Sequence, residues 1–454
     1  MDRTKQRELF YKRMLNRAPE FLLKRFVRNG LLDCAQILIV LSRAYNWKGV
    51  KSYQNELIQS EPYRSIFRQC AFVNGNDIHA QQEQVADAVA RLISSQAFCS
   101  MKTNAISEAS SVLNLFGFFR AAALLRLAVL ARRVNPEPSQ SDMQSEVARL
   151  ELSMLSPSEL RNIGGIGACD SYWRKIVTHN SAQSVETVVD SLRGLSRATF
   201  SEQEHRCLKN EVKSNCSLAK EFVDGKSILF VGPSARVAEE NKPGPFDASV
   251  RIGYSGRNSL SARMDLKPDI SFYKLHKLKY MQENGLLEIL DGLKIGYVSS
   301  SGMPVEVPTS PNASICLSPF RGRILNGDDP NAGTEALLCL LGDGARKIYI
   351  ENMDLFLNRK RPKGYIAFGA RANESESGWE VEDLDFGRDL ALVHNPVPQY
   401  AVFQAAWHSG KLAGDSQFAR IMNEGLFSYL LRLEQEYDPL SALRSYAPKN
   451  ELCG

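Results

Sequence analysis

The chain has 454 residues, 44% hydrophobic and 24% charged, with a formal net charge of +5. That is ordinary globular composition with length for two or three domains. The charge is too mild to mark a nucleic-acid binder, which needs a concentrated basic face. Nine cysteines are scattered without a C-x-x-C pair or a Cys/His cluster at zinc spacing. They fit reduced thiols, and no short apolar signal core opens the chain, so the expected compartment is the cytoplasm.

The first segment, residues 3–28, carries nine Lys/Arg against Glu8 and Glu20, with Leu9, Phe10, Met14, Phe21, Leu22 and Phe26 interleaved. Such a basic amphipathic helix either lies on an anionic membrane face or is a solvated helix of a larger domain. Residues 21–45 and 105–133 place apolar side chains at three- and four-residue intervals, the mark of helices. The stretch after Gly30 resembles the stretch after Gly117: small residues follow the glycine, then an apolar run. That pattern suits helical hairpins, loosely tetratricopeptide-like. Residues 112–131 are strongly apolar, but Arg120 and Arg126 interrupt them. This argues for a buried helical hairpin with its arginines at one edge, not a membrane span. Residues 136–142 (Pro-Glu-Pro-Ser-Gln-Ser-Asp) form a polar break. Helical patterning returns at 143–155 and 184–223. The reading places a domain change at Asp224-Gly225, with a helical region over 1–224.

From residue 225 to 454 the texture changes. Short β-type runs occur at 227–231, 268–273, 293–298 and 346–350, with helix-like segments between them, notably 334–341. Strands alternating with helices predict an α/β domain with a mostly parallel, Rossmann-like sheet. Ligands of such sheets sit at the carboxyl ends of the strands.

Three constellations stand out there. Residues 228–234 (Ile-Leu-Phe-Val-Gly-Pro-Ser) end a strand in a glycine turn, which lets backbone approach a phosphate or ribose, or simply turns any buried strand. Asp247 and Arg251 precede residues 268–274 (Pro-Asp-Ile-Ser-Phe-Tyr-Lys). An arginine at a strand end either pairs with a phosphate or sugar carboxylate or faces solvent. Residues 329–341 open a helix from a small-residue turn, and residues 344–354 follow with a buried strand ending at Asp354. That helix start would present free N–H groups to an anion, or belong to an ordinary αβ unit.

In order and spacing, these motifs over about 227–403 resemble the sialyltransferases, especially the bacterial type that uses CMP-sialic acid. Residues 228–234 match the family's first strand and glycine turn, and Asp247 with Arg251 its Asp-x-x-x-Arg strand. Residues 270–273 match its Phe-Tyr strand. Residues 331–337 and 347–354 match its second signature. Tyr365-Ile-Ala-Phe and His394 match its later tyrosine and histidine. Val231 stands where the family has an Asn, and Ala332, beside Asn331, where it has a hydroxyl. These departures leave room for CMP-Kdo as donor, because Kdo shares the anomeric carboxylate, the 3-deoxy carbon and the CMP leaving group.

The resemblance implies transfer of an acidic sugar from its CMP donor to a glycan or glycolipid acceptor, without a metal. His394 would be the general base, with His276 and His408 as competitors, and Tyr365 would donate to the leaving phosphate. Gly232, Pro233, Ser234, Arg251, Tyr273, Lys274, Asn331, Ala332, Gly333, Thr334 and Asp354 would hold the donor. Asp383-Leu-Asp385 reads as loop charge. A lipid-linked acceptor would make peripheral attachment through residues 1–28 useful. The rival readings are a transferase using another nucleotide sugar, such as a UDP-sugar, and a non-catalytic helical scaffold with a degenerate transferase domain.

Overall fold

The computed structural model describes residues 78–93, parts of 103–118, 117–134, 143–155, 159, 184–198, 212–234, 244–254, 267–299, 314–320, 324–325, 329–358, 360–362, 372–374, 380–383 and 394–436. The basic segment 3–28, the helix expected at 21–45 and the Gly30 half of the internal likeness lie outside them. The chain divides into two compact units.

The first unit comprises residues 1–132, 161–177 and 437–454. Its described helices are α1 (Ile78–Ile93) and α2 (Phe119–Arg133). Gly117 takes a left-handed φ of 75°, which turns the chain into α2. Gln82 of α1 donates to the Gly117 carbonyl at 3.1 Å. The arginines of α2 do not share an edge. Arg120 pairs with Glu83 at 2.7 Å, whereas Arg126 is buried. Among the described residues no helix is long and apolar enough to cross a membrane.

The second unit comprises residues 133–160 and 178–436. The expected boundary at 224/225 is therefore displaced: the division falls beside the polar break at 136–142. The reason is packing. Helices α3 (Met143–Ser153), α4 (Val185–Ala198) and α5 (Val212–Val223) belong to the sheet's unit. Helix α4 buries Val185, Val188, Val189 and Leu192, and it packs on a helix of the sheet layer described next.

The sheet has seven parallel strands in the order β10-β6-β1-β2-β3-β4-β5. They are β1 (Ser227–Val231), β2 (Ala248–Ile252), β3 (Ile270–Lys274), β4 (Ile295–Ser299), β5 (Ser314–Leu317), β6 (Lys347–Glu351) and β10 (Leu412–Gly414). The central β1 is buried from Ile228 to Val231, as expected when helices cover both faces and the polar alternation disappears. One face receives α7 (Ala332–Gly342), which contacts β2, β3 and β4. Residues 334–340 of α7 are all buried, because the sheet lies on one side and α4 on the other. The opposite face receives α6 (Leu275–Glu283), whose Leu278 and Met281 pack with Tyr273, Val298 and Leu317. Helices α8 (Pro396–His408), α9 (Ser416–Glu424) and α10 (Leu426–Glu436) close the β10 side. A small antiparallel sheet, β7 (Lys360–Pro362), β9 (Glu380–Asp383) and β8 (Ala372–Glu374), is inserted before α8. Asp383, read as loop charge, stands in its β9.

Candidate functional site

The strand order fixes where the crevice lies. From β1 the chain winds outward through β2 to β5, then returns through α7 to lay β6 on the other side of β1. The topological switch point is therefore between β1 and β6, at their carboxyl ends.

The turn after β1 is tied to the chain after β6. Gly232 N–H donates to the Glu351 carbonyl at 2.7 Å, and Ser234 N–H to the Asn352 carbonyl at 2.9 Å. Pro233 has no N–H. The turn thus keeps no backbone amide for a phosphate. Its glycine is required by a protein neighbour: a Cβ at Gly232 would lie 2.7 Å from Met353 Cβ and 2.9 Å from Met353 Cα. Of the two readings of this turn, the close approach at Gly232 is by the protein's own Met353. What the turn does present is Ser234 Oγ, buried and with no hydrogen-bond partner among the described residues.

The loop after β6 is strained. Asn352, Leu355 and Phe356 take φ values of 55°, 49° and 73°, each a left-handed conformation costing about 1–3 kcal/mol without a glycine. Its surroundings hold it there. Asp415 Oδ2 accepts from Asn352 N at 2.8 Å, Tyr429 donates its hydroxyl to the Leu355 carbonyl at 2.7 Å, and Asp354 Oδ1 accepts from Phe356 N at 3.2 Å. Asp354 is buried in this turn.

Helix α7 starts against the same loop. A Cβ on Gly333 would lie 3.5 Å from Ile252 Cδ1 and 3.8 Å from Met353 Cε. The Gly232 turn and the Gly333 helix start therefore share one edge of the sheet and one neighbour, Met353. Asn331 caps the helix, accepting from Thr334 N at 2.8 Å, and its carbonyl takes Glu335 N. The capping leaves the Ala332 and Gly333 amides at the helix's positive end. Thr334 Oγ1, fully buried, has no hydrogen-bond partner among the described residues.

His394 stands immediately before α8, whose Asn395 cap accepts from Val397 N at 3.1 Å with Pro396 at the first helical position. The Phe356 ring stacks on the imidazole at a centroid distance of 6.4 Å. One turn into α8, the buried Gln399 accepts from Asn331 N at 3.0 Å and donates to the Asp329 carbonyl at 3.1 Å. The histidine segment is thus joined both to the strained loop and to the start of α7. His408 is exposed at the far end of α8. Tyr365 and the side chain of His276 lie outside the described residues.

The remaining candidates divide. Tyr273 is built into the core under α6, its hydroxyl donating to the Tyr254 carbonyl at 2.9 Å and its pKa pushed up by burial. It does not reach the crevice. Lys274 is committed within the protein, to Glu335 at 2.9 Å, Ser299 Oγ at 3.0 Å and the Pro330 carbonyl at 3.3 Å. These contacts occupy the three donors of its ammonium, so it acts as a strut between β3 and α7. Arg251, at the end of β2, is buried with its guanidinium 5.8 Å from the Tyr254 ring. Beside it lies Lys277 of α6, which the sequence reading did not single out. Lys277 Nζ donates to the Gly253 carbonyl at 3.1 Å. Burial, with Arg251 nearby, lowers its pKa to about 8. Phe356 and Gln399 were also missed. Neither belongs to a motif, whereas the Gly-Asp-Ser stretch holding Asp415 carries a helix-cap signal.

Among the described residues no group of His, Cys, Asp and Glu could hold a metal ion. Comparison of the chain with models of protein families, with curated proteins and with solved structures finds no match.

Proposed function

We propose that the chain is a glycosyltransferase that moves a 3-deoxy-2-ulosonic acid, sialic acid or Kdo, from its CMP donor to a glycan of a bacterial surface polysaccharide or lipooligosaccharide. The second unit would be its Rossmann-like, sialyltransferase-type catalytic domain. The observation that carries this reading is the start of α7 at the switch point. The Gly232 turn, which carries the buried Ser234 hydroxyl, and the start of α7, which carries two amides and the buried Thr334 hydroxyl, both pack beside Met353, at the edge where parallel sheets bind nucleotides.

In the reaction, the acceptor oxygen bonds to the anomeric carbon as the bond from that carbon to the phosphate oxygen breaks. CMP leaves with the electron pair, and its growing charge meets the amides of Ala332 and Gly333. The acceptor proton passes to His394, oriented by the Phe356 ring. Tyr365 is assigned to the leaving phosphate by family resemblance alone.

The test is nucleotide release by the purified full chain: CMP from CMP-N-acetylneuraminic acid or CMP-Kdo, and UDP from UDP-galactose. Turnover of either CMP donor is expected, and turnover of UDP-galactose alone would overturn the reading. His394→Ala should lower turnover by about 10²–10⁴-fold and leave CMP affinity within twofold. Near-normal turnover would remove His394 from the base role.

A further inference from the structure

Asn352, Leu355 and Phe356, in the loop after β6, all take left-handed backbone, and none of them is glycine. Asparagine tolerates that conformation, whereas leucine and phenylalanine rarely adopt it. Such a loop persists only where its surroundings over-determine it, and such loops cluster at working sites. This one meets each part of the site. The Asn352 carbonyl takes the Ser234 amide at 2.9 Å, Met353 lies beside Gly232 and Gly333, and the Phe356 ring stacks on His394.

What over-determines the loop comes from the chain after α8. Strand β10 runs beside β6, with Gly414 opposite Ile350. The next residue, Asp415, donates its amide to the Ile350 carbonyl at 2.9 Å and divides its carboxylate between two amides. Oδ1 accepts from Phe418 N at 2.8 Å and caps α9, while Oδ2 accepts from Asn352 N at 2.8 Å. A cap needs only one oxygen. The second goes to the left-handed residue that opens the loop. From α10 the buried Tyr429 donates its hydroxyl to the carbonyl of the next left-handed residue, Leu355, at 2.7 Å. We propose that Asp415 and Tyr429 are positioning residues: they clamp residues 352–356 in left-handed form, which keeps the Phe356 ring against His394 and the imidazole aimed at the acceptor. This rests on the reading of His394 as the base. Both residues act through the backbone of the loop.

An asparagine at 415 keeps one acceptor oxygen and puts an N–H in place of the other. Asp415→Asn can therefore serve α9 or Asn352, but not both. Adding Asn352→Gly tells which loss matters, because glycine takes the left-handed conformation unaided and does nothing for α9. Tyr429→Phe removes a single hydroxyl from the second clamp. The full chain is compared as wild type, the two single variants and the Asp415→Asn/Asn352→Gly double variant. One readout is CMP release from CMP-N-acetylneuraminic acid or CMP-Kdo, whichever wild type turns over. The other is the rate at which diethyl pyrocarbonate modifies His394, followed by peptide mass spectrometry. In both single variants turnover should fall about tenfold or more and His394 should be modified several-fold faster. Asn352→Gly should recover most of both changes in the Asp415→Asn background. Losses that the glycine does not recover would make Asp415 a cap of α9 alone and overturn the proposal. Unchanged modification of His394 in both single variants would overturn it too. If wild type turns over neither CMP donor, the donor reading has failed, and the His394 rates decide alone: faster modification reversed by the glycine supports the clamp, and an unchanged or unreversed rate overturns it.

Discussion

Two lysines three residues apart, Lys274 and Lys277, meet opposite fates on the two faces of the sheet. Lys274 ends β3 on the α7 face, where Glu335 meets it at 2.9 Å. Lys277 lies in the first turn of α6 on the other face, beside Arg251. One lysine completes an internal pair and ties a strand to a helix. The other donates to the Gly253 carbonyl at 3.1 Å and holds the turn after β2. A buried cation with an internal carboxylate is a structural part.

The sharpest way to break this contrast is to remove each ammonium in turn. Glu335 is almost wholly buried, so Lys274→Met leaves an uncompensated carboxylate. Breaking such a pair costs about 3–5 kcal/mol. Denaturant unfolding of the full chain should show that loss, and adding Glu335→Leu should recover most of it. A Lys274→Met variant as stable as wild type would mean that the pair is not structural.

Lys277→Met should move stability the other way. Its folded pKa, about 8, lies below the unfolded value near 10.4. The unfolded chain therefore binds the extra proton between those pH values, and stability rises with pH across that window. Below pH 8 the penalty of the buried charge is fully present, at about 3 kcal/mol before the hydrogen bond to Gly253 is deducted. Lys277→Met should relieve it at pH 7 and lose its advantage as the pH climbs from 8 towards 10.4. An equal difference at pH 7 and pH 10.5 would refute the assignment.

The sequence carried this contrast only in part. Its apolar runs located β1, β3, β4 and β6, because strands covered on both faces must be apolar throughout. It missed β5 and β10, which are 4 and 3 residues long and lie at the sheet's edges. It also placed the domain change at the first strand, because helices α3 to α5 look like those before them. Which sheet they cover is a matter of packing that periodicity does not hold. At the site, the cap of α7 was legible in Asn331 and Gly333. The neighbour that demands Gly232 was not, since Met353 is 121 residues away in the chain and reaches the glycine only through the β1–β6 pairing. Lys277 escaped for the same reason: its meaning depends on Arg251, brought to it by two parallel strands.

Smaller effects separate the two polar groups that open α7. Asn331 is a working cap, and its loss in Asn331→Ala should cost about 1 kcal/mol in unfolding free energy. Thr334 carries a buried hydroxyl without a protein partner among the described residues. Burying a hydroxyl without a hydrogen bond costs about 1–3 kcal/mol. Thr334→Val keeps the branched shape and removes that cost. The variant should unfold at the same denaturant concentration as wild type or slightly above it, while CMP affinity falls several-fold. If the hydroxyl instead supports the fold, Val would destabilise by more than the cap mutation does, and the start of α7 would lose its claim as a ligand site. Stability and affinity moving in opposite directions at Thr334, but together at Asn331, would separate the hydroxyl that awaits a ligand from the cap that holds the helix.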